Sequence, residues 1–406
     1  MPETFSYKVR DKSGKLVEGQ LEAENAQLVV SKLRSMGYVP IEIERQGGPG
    51  LSRDLKIPFI SDRVKLKDVS VFSRQFATMI NSGLSMLRSL YILAEQTESK
   101  PLANIVNQVR LDVERGASLS AALAKHPKAF SRLYVAMVRA GEAGGVLDSV
   151  LQRLATTIEK QVELRRKVKS AMTYPVVVTC LVLLLVTAML VFVIPMFQNI
   201  YKQLGGTLPA PTQILIDVSN IVRKLWYVVF AADVGMVWAF RKWINSEEGR
   251  KRWDAIKLRM PIFGSLARKT ALARFGRTLS ALVRSGVPIL ESLDIVRETA
   301  GNWVVSEAVR DAQQQVKRGE PLSRRLEEHK VFPPMVVQMM AVGEETGALD
   351  EMLDKIADFY DQEVEATVNA LTSLIEPLLI VVMGIVIGGM IISLYLPMFD
   401  VINLIH

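Results

Sequence analysis

Cysteine and histidine are scarce in this chain, and their scarcity excludes several classes of protein. The 406 residues include one cysteine and three histidines. The single cysteine, Cys180, can form neither an internal disulfide framework nor a zinc site made of cysteines. Three histidines leave little from which to build a histidine-based catalytic site.

The motifs of common enzyme classes are also missing. There is no G-x-x-x-x-G-K-[ST] phosphate loop, no H-E-x-x-H motif and no G-x-S-x-G nucleophile elbow. The sequence therefore predicts no enzyme, no cofactor and no metal site, and leaves mechanical, structural and transport functions.

Two long uncharged runs are typical of a membrane protein. Residues 170–201 and 377–399 carry no charged side chain, and a helix needs about 20 apolar residues to cross a bilayer. We predict transmembrane helices at 171–197 and 374–399. The net charge of +8 is concentrated beside the apolar runs and lacks an aromatic-basic pattern, so no nucleic-acid partner is predicted.

The chain contains an internal duplication with an offset of 203 residues, which becomes 202 after a slip between His126 and Phe130. The matching pairs include Phe72 and Phe275, Arg74 and Arg277, Gly83 and Gly286, Leu119 and Leu322, Gly141 and Gly343, Glu142 and Glu344, Asp148 and Asp350, and Pro175 and Pro377. A period of this length corresponds to a whole domain with a membrane helix.

A third transmembrane helix is predicted at 225–243, although this segment is shorter and contains Asp233. Two modules alike in sequence should face the same compartment, which requires an even number of crossings between them. Basic residues flank both crossings on the module side, whereas the loop at 198–224 has few, so the positive-inside rule places both modules in the cytoplasm. The polar N-terminus has no apolar signal core and is also expected there.

Each copy of the repeat is expected to be helical. Phe72, Phe76, Met79 and Ile80 form an apolar stripe at helical spacing. Further helices of the first copy are predicted at 85–98, 101–115, 118–125, 131–141 and from 146 into the membrane. This gives about six helices in each module.

The first 45 residues are expected to form a separate unit. Phe5, Tyr7 and Val9 alternate with polar residues, as in a strand, and the segment predicts a small ββαβ module. The predicted fold is therefore a mainly α membrane protein with duplicated cytoplasmic six-helix bundles, three transmembrane helices and this module. The predicted segments are 1–45, a linker at 46–63, 64–170, 171–197, 198–224, 225–243, 244–373, 374–399 and a short periplasmic tail at 400–406.

Two duplicated patterns resemble a known family. The pattern S-G-x-x-x-L-x-S-L from Ser82 and the pattern G-E-x-x-G-x-L-D from Gly141 are similar to those of the inner-membrane platform proteins of type II secretion systems and type IV pili, the GspF/PilC family. The resemblance covers essentially the full chain, including the order of modules and spans.

The resemblance implies a non-enzymatic, multi-pass protein of the bacterial inner membrane that forms homo-oligomers. Its implied partners are a cytoplasmic hexameric ATPase, pilins or pseudopilins, and other inner-membrane assembly components. Pilus biogenesis and protein secretion stay open, because both machines use the same parts. A small membrane transporter or permease subunit is the alternative from another class.

The duplicated G-E-x-x-G-x-L-D turn supplies four candidate contact residues, Glu142, Asp148, Glu344 and Asp350. One explanation is structural, since glycine can end a helix and aspartate stabilises the N-terminus of the next. The functional hypothesis is that the four carboxylates contact the ATPase, another subunit or a divalent cation, although two carboxylates per turn are too few for a calcium shell.

The predicted spans contain further candidates. Asp233 is the only ionisable residue well inside a span, where a charge requires a partner, a polar cavity or protonation. One hypothesis is that it contacts a subunit or a pilin, and the other is that it forms a helix-packing hydrogen bond or is protonated. Normal assembly by both Asp233→Asn and Asp233→Leu would contradict the first. Gly384 and Gly388 would let the last span approach another helix closely, either between protomers or within one.

Overall fold

The computed structural model describes residues 3–10, 16–23, 26–45, 64–204, 209–261 and 263–404. Contacts divide the chain into two units, Met1–Asp62 and Arg63–His406. The linker predicted at 46–63 lies outside the described residues.

The described residues of the first unit form three strands and a helix. In chain order they are β1 (Glu3–Arg10), β2 (Leu16–Ala23), α1 (Ala26–Ser35) and β3 (Val39–Arg45). The sheet order is β2-β1-β3, and β1 is antiparallel to both neighbours. Because side chains alternate along a strand, Val9 shares a face with Tyr7 and packs against Val29 and Leu33 of α1.

The first copy of the repeat forms six helices of the second unit. They are α2 (Leu66–Asn81), α3 (Met86–Gln96), α4 (Lys100–Glu114), α5 (Leu119–Ala124), α6 (Arg132–Gly144) and α7 (Leu147–Ala188). Gly83 lies between α2 and α3 with a φ of 81°, a conformation that favours glycine and ends the first helix there.

A π-helical segment, Met189–Val193, continues α7 and leads into α8 (Ile194–Leu204). The next helix, α9 (Ala210–Lys224), packs against this segment and against the last helix of the chain. The Ser219 hydroxyl donates a hydrogen bond to the Leu190 carbonyl, which lies in the π-helical segment. The loop predicted at 198–224 is thus largely helical.

Two helices connect the copies of the repeat, α10 (Trp226–Asn245) and α11 (Glu247–Arg259). Helix α10 packs against α9 and α11 and leaves most of its apolar side chains exposed, Met236 to 69%. Ser246 caps α11, because its hydroxyl oxygen accepts a hydrogen bond from the backbone N–H of Gly249.

The second copy again forms six helices. They are α12 (Phe263–Arg284), α13 (Ile289–Thr299), α14 (Trp303–Val316), α15 (Leu322–Glu327), α16 (Pro334–Thr346) and α17 (Leu349–Leu404). Helix α17 is continuous through the predicted last span and extends into the segment that was predicted to be a short tail.

Both copies contribute to one hydrophobic core. The rings of Phe72 and Phe130 pack at a tilt with centroids 5.7 Å apart, and the matching rings of Phe275 and Phe332 pack edge to face with centroids 5.1 Å apart. All four rings belong to the same buried cluster. Helices α6 and α7 of the first copy pack against α12 of the second, so the two bundles form one unit.

Two helical segments among the described residues are long and apolar enough to cross a membrane. They are Leu147–Asn199 and Leu349–Leu396, which contain the uncharged runs found in the sequence. Helix α10 does not meet the same test within the described chain, so the span predicted at 225–243 stays a prediction.

Candidate functional site

The Glu142 carboxylate, on α6, joins α6 to the start of α5. Its Oε1 accepts a hydrogen bond from the backbone N–H of Leu119 at 2.5 Å, and its Oε2 accepts one from that of Ser120 at 3.0 Å. The N–H groups in the first turn of a helix have no acceptor within the helix. A carboxylate there satisfies two of them and places negative charge at the positive end of the helix dipole. Glu142 is therefore a cap for α5.

The second copy repeats this arrangement. Glu344, on α16, accepts hydrogen bonds from the backbone N–H groups of Leu322 at 2.6 Å and Ser323 at 2.9 Å. The Ser323 hydroxyl donates a further hydrogen bond to the same carboxylate. The duplication thus extends from sequence to side-chain contacts.

The glycines of the same turn are also explained by packing. A Cβ at Gly141 would lie 3.0 Å from the Cβ of Val150, and one at Gly343 would lie 2.9 Å from the Cα of Leu349. Gly145 ends α6 with a φ of 67°. The glycines allow consecutive helices to pack closely and the chain to turn sharply between them.

The two aspartates of the turn are placed differently. Asp350 accepts a hydrogen bond from the Arg284 Nε at 3.0 Å, and this guanidinium holds the pKa of the carboxyl below its ordinary value. In the first copy Asn81 occupies the position that matches Arg284. Asp148 is exposed, and within the described residues its side chain has no hydrogen-bond or ion-pair partner. Of the four candidate carboxylates, Asp148 is the one available to another molecule.

These carboxylates are not gathered into a metal centre. Glu142 and Glu344 are occupied by backbone donors, and Asp350 is paired with a guanidinium. Among the described residues, no group of three or more histidine, cysteine, aspartate or glutamate side chains could hold a metal ion.

A charged network at Arg74 and Arg277 was not identified from the sequence. Arg74 Nε donates to Glu159 at 2.7 Å and joins α2 to α7. Arg277 joins α12 to α17, and its side chain is only 13% exposed. Three carboxylates surround its guanidinium at 2.6–3.0 Å, those of Asp354, Asp358 and Asp361. The sequence did contain a signal for this network. Arg74 and Arg277 match at the offset of 203, and Glu159 and Asp361, one acidic partner of each, match at the offset of 202.

The candidates within the spans make no helix contact in the described part of the chain. Asp233 lies near the middle of α10, and its side chain is exposed. A Cβ built at Gly384 or Gly388 on α17 would have no atom of another helix within 4 Å. Asp233 and Gly384 are thus exposed and Gly388 is half-buried, and the close helix packing expected at the two glycines is not formed within the described chain.

Comparison with known families gives matches over most of the chain. The model for type II secretion system protein F matches residues 72–195 and 275–397, which are the two copies of the repeat. The model for the N-terminal domain of the same protein matches residues 1–44.

Individual relatives are similar over nearly their full length. The type IV pilus assembly protein PilC of Thermus thermophilus is 46% identical over 400 residues, 98% of this chain and 98% of the relative. The type IV pilus assembly protein TapC of Aeromonas hydrophila is 35% identical over 402 residues, 99% and 96% respectively. The type II secretion system protein F of Vibrio cholerae is 33% identical over 401 residues, 98% of each chain.

Proposed function

The chain belongs to the type II secretion system protein F family, and on that premise we propose that it is a non-enzymatic platform protein of the inner membrane. In this role it couples a cytoplasmic hexameric ATPase to the assembly of pilins or pseudopilins into a fibre. Homo-oligomers of the chain and other inner-membrane components complete the assembly.

The observation that carries this proposal is the continuity of two helices. Helix α17 has 56 residues, which at about 1.5 Å per residue is about 84 Å. The N-terminal part of this helix, including Leu353 and Ile356, is buried in the helical core. Its C-terminal part contains the uncharged apolar run at 377–399. Helix α7 is built in the same way. Because no loop interrupts either helix, a displacement of the helical core moves the apolar segments with it.

We propose that α10 is the second membrane crossing of the chain, after the apolar part of α7. Two crossings between the helical copies keep both copies in the cytoplasm together with the N-terminus. The exposed apolar side chains of α10 and the basic residues that follow it support this arrangement. Asp233 would then face a partner outside this chain.

Thiol labelling in intact cells tests this topology. In a Cys180→Ala background, Asp217→Cys on α9 is expected to react with a membrane-impermeant maleimide, because the proposed topology puts α9 in the periplasm. Glu98→Cys, in the first copy, is expected to react only after lysis. Labelling of both in intact cells, or of neither, would contradict the arrangement.

We propose Asp148 as a contact for the ATPase or another subunit. Asp148→Lys is expected to reduce co-purification of the hexameric ATPase about tenfold or more, since a reversed charge at an interface repels its former partner. The level of membrane-inserted protein should change little, because the side chain is exposed and its place in the first turn of α7 contributes only about 0.3 to 1 kcal/mol.

Glu98→Lys provides the matched control, since it makes the same charge change at another exposed position of the first copy. Equal co-purification by the Asp148 and Glu98 variants would remove Asp148 from the proposed contact. Absence of any ATPase from the wild-type preparation, with a solute-dependent flux in liposomes, would instead favour a transporter.

The relatives carry both pilus and secretion names, and we propose the pilus machine. The 46% identity to a pilus assembly protein, against 33% to a secretion protein F, supports this choice. Crosslinking followed by identification of the fibre subunit tests it, because recovery of a pseudopilin in place of a pilin would assign the chain to secretion.

A further inference from the structure

A cavity of about 450 Å³ lies between α11, α12 and the residues that join α13 to α14. This volume is within the range of small-molecule sites, roughly 300–1,000 Å³. Most of the lining is apolar and includes Trp253, Met260 and Phe263. Arg274 and Thr270 are among its polar lining residues.

Arg274 brings a positive charge without a counter-ion to this cavity. The side chain is partly buried, and no acceptor pairs with it among the residues that the structure describes. Burial lowers the pKa of its guanidinium, and the nearby positive charge of Arg165 lowers it further. Lys257, also in the lining, is neutralised by Asp254 at 3.1 Å. An unpaired charge in a partly buried site favours the binding of an anion.

Two residues next to Arg274 also favour the binding of an anion, one by offering a hydroxyl and the other by leaving space. Thr270 lies one helical turn before Arg274, and its hydroxyl has no hydrogen-bond partner within the described residues. Gly301 gives room to the guanidinium, since a Cβ there would lie 2.6 Å from the Arg274 Nη1. A guanidinium and a hydroxyl together match the acceptor oxygens of a phosphate.

The cavity lies at the level where the protein enters the membrane. Val168, which lines it, comes two residues before the uncharged run at 170–201, a rise of about 3 Å along the helix. Leu266 of α12 packs in one small cluster with residues of α7 and α17 near the same level, Val168 and Ala171 among them. Met260 and Phe263 are about 40% exposed at the cavity. Phospholipid headgroups lie at this depth.

The charge of α11 favours an anionic lipid over a neutral one. Besides the neutralised pair of Lys257 and Asp254, this helix carries two acidic residues, Glu247 and Glu248, and four basic residues, Arg250, Lys251, Arg252 and Arg259, so its net charge is +2. Basic clusters next to a membrane segment attract anionic lipids, and a basic pocket there can hold their headgroups.

The first copy of the repeat lacks these groups. At the offset of 203, Val71 matches Arg274 and Lys67 matches Thr270. Val71 is exposed. The cavity is thus a feature of the second copy and is not a by-product of the duplication.

We propose that this cavity binds the phosphate of an anionic phospholipid, with Arg274 and Thr270 as donors and the apolar walls against the first part of an acyl chain. The proposal requires that the chain reside in a membrane and is independent of its coupling to an ATPase.

Native mass spectrometry of the full chain in a neutral detergent tests the proposal, with phosphatidylglycerol and phosphatidylcholine of equal acyl length as probes. The wild-type chain is expected to retain one phosphatidylglycerol in preference to phosphatidylcholine. Arg274→Gln should weaken that retention about tenfold, since it removes a charged hydrogen bond. Arg268→Gln is the matched control, because Arg268 is an exposed arginine on the same helix and outside the cavity lining, and it should retain the lipid normally.

Thr270→Val and Gly301→Ala provide independent variants that keep the Arg274 charge, and both should weaken retention. Thermal melting with and without phosphatidylglycerol checks that each variant is folded, and the lipid should raise the melting temperature of the wild type more than that of Arg274→Gln. Equal retention by wild type and Arg274→Gln, or no preference between the two lipids, would overturn the proposal. Displacement of the lipid by millimolar inorganic phosphate would also overturn it and assign the cavity to a free anion.

Discussion

Replacing both Glu142 and Glu344 by alanine is expected to lower the free energy of unfolding by roughly 2 to 6 kcal/mol relative to the wild type. Each change leaves two backbone N–H groups at a helix start without their acceptor, at about 1 to 3 kcal/mol per site. The effects should add, because the two caps share no residue. Thermal melting of the detergent-solubilised chain, followed by circular dichroism, measures the change.

The same experiment separates the cap from the contact hypothesis for these two glutamates. Glu345→Ala is the control, since this neighbour is exposed and its replacement should change stability by about 0.5 kcal/mol or less. We expect charge reversal at Glu142 and Glu344 to lower the amount of membrane-inserted protein. Loss of fibre assembly at normal protein level and normal melting temperature would instead show that the glutamates contact a partner.

Replacement of Arg277 by methionine is the second change with a large expected effect, about 2 to 4 kcal/mol of lost stability. Removing the guanidinium leaves Asp358 and Asp361 of α17 without a counter-charge and leaves Asp354 only its longer ion pair with Arg284, at 3.7 Å. Methionine keeps most of the side-chain volume, so the effect should arise from charge more than from packing. The melting temperature of the solubilised chain reports the loss.

Arg324→Met tests whether any arginine in an ion pair would show this effect. Arg324 pairs with Glu320, but its side chain is 76% exposed, and such pairs contribute about 0 to 1 kcal/mol. Equal melting of the Arg277 and Arg324 variants would mean that the network is dispensable.

The helices of the repeat could be predicted from the sequence because the residues that end each helix lie at its end. The helices predicted at 85–98 and 101–115 correspond to Met86–Gln96 and Lys100–Glu114. Gly83 and the matching Gly286 both have a positive φ, which ends a helix at that residue without help from distant contacts. The family suggested by the duplicated patterns is also confirmed, since the family model matches both copies.

Contacts between distant parts of the chain were not predictable in the same way. Glu142 and Leu119 are far apart in sequence, and nothing in the turn itself indicates that the carboxylate binds another helix. Asp148 and Asp350 match in sequence, yet one is exposed and the other is paired, because the difference lies at Asn81 and Arg284 on other helices. A repeat therefore predicts backbone geometry better than it predicts which side chains are free.

The π-helical segment at Met189–Val193 gives the two apolar helices different shapes although their sequences match. One π-helical turn takes up about one residue more than an α-helical turn, which rotates everything beyond it by about 100° about the helix axis. Helix α17 is described as α-helical throughout and has no such offset. The far ends of the two apolar helices therefore turn matching sequence positions in different directions, and the duplication does not give the chain two equivalent surfaces there.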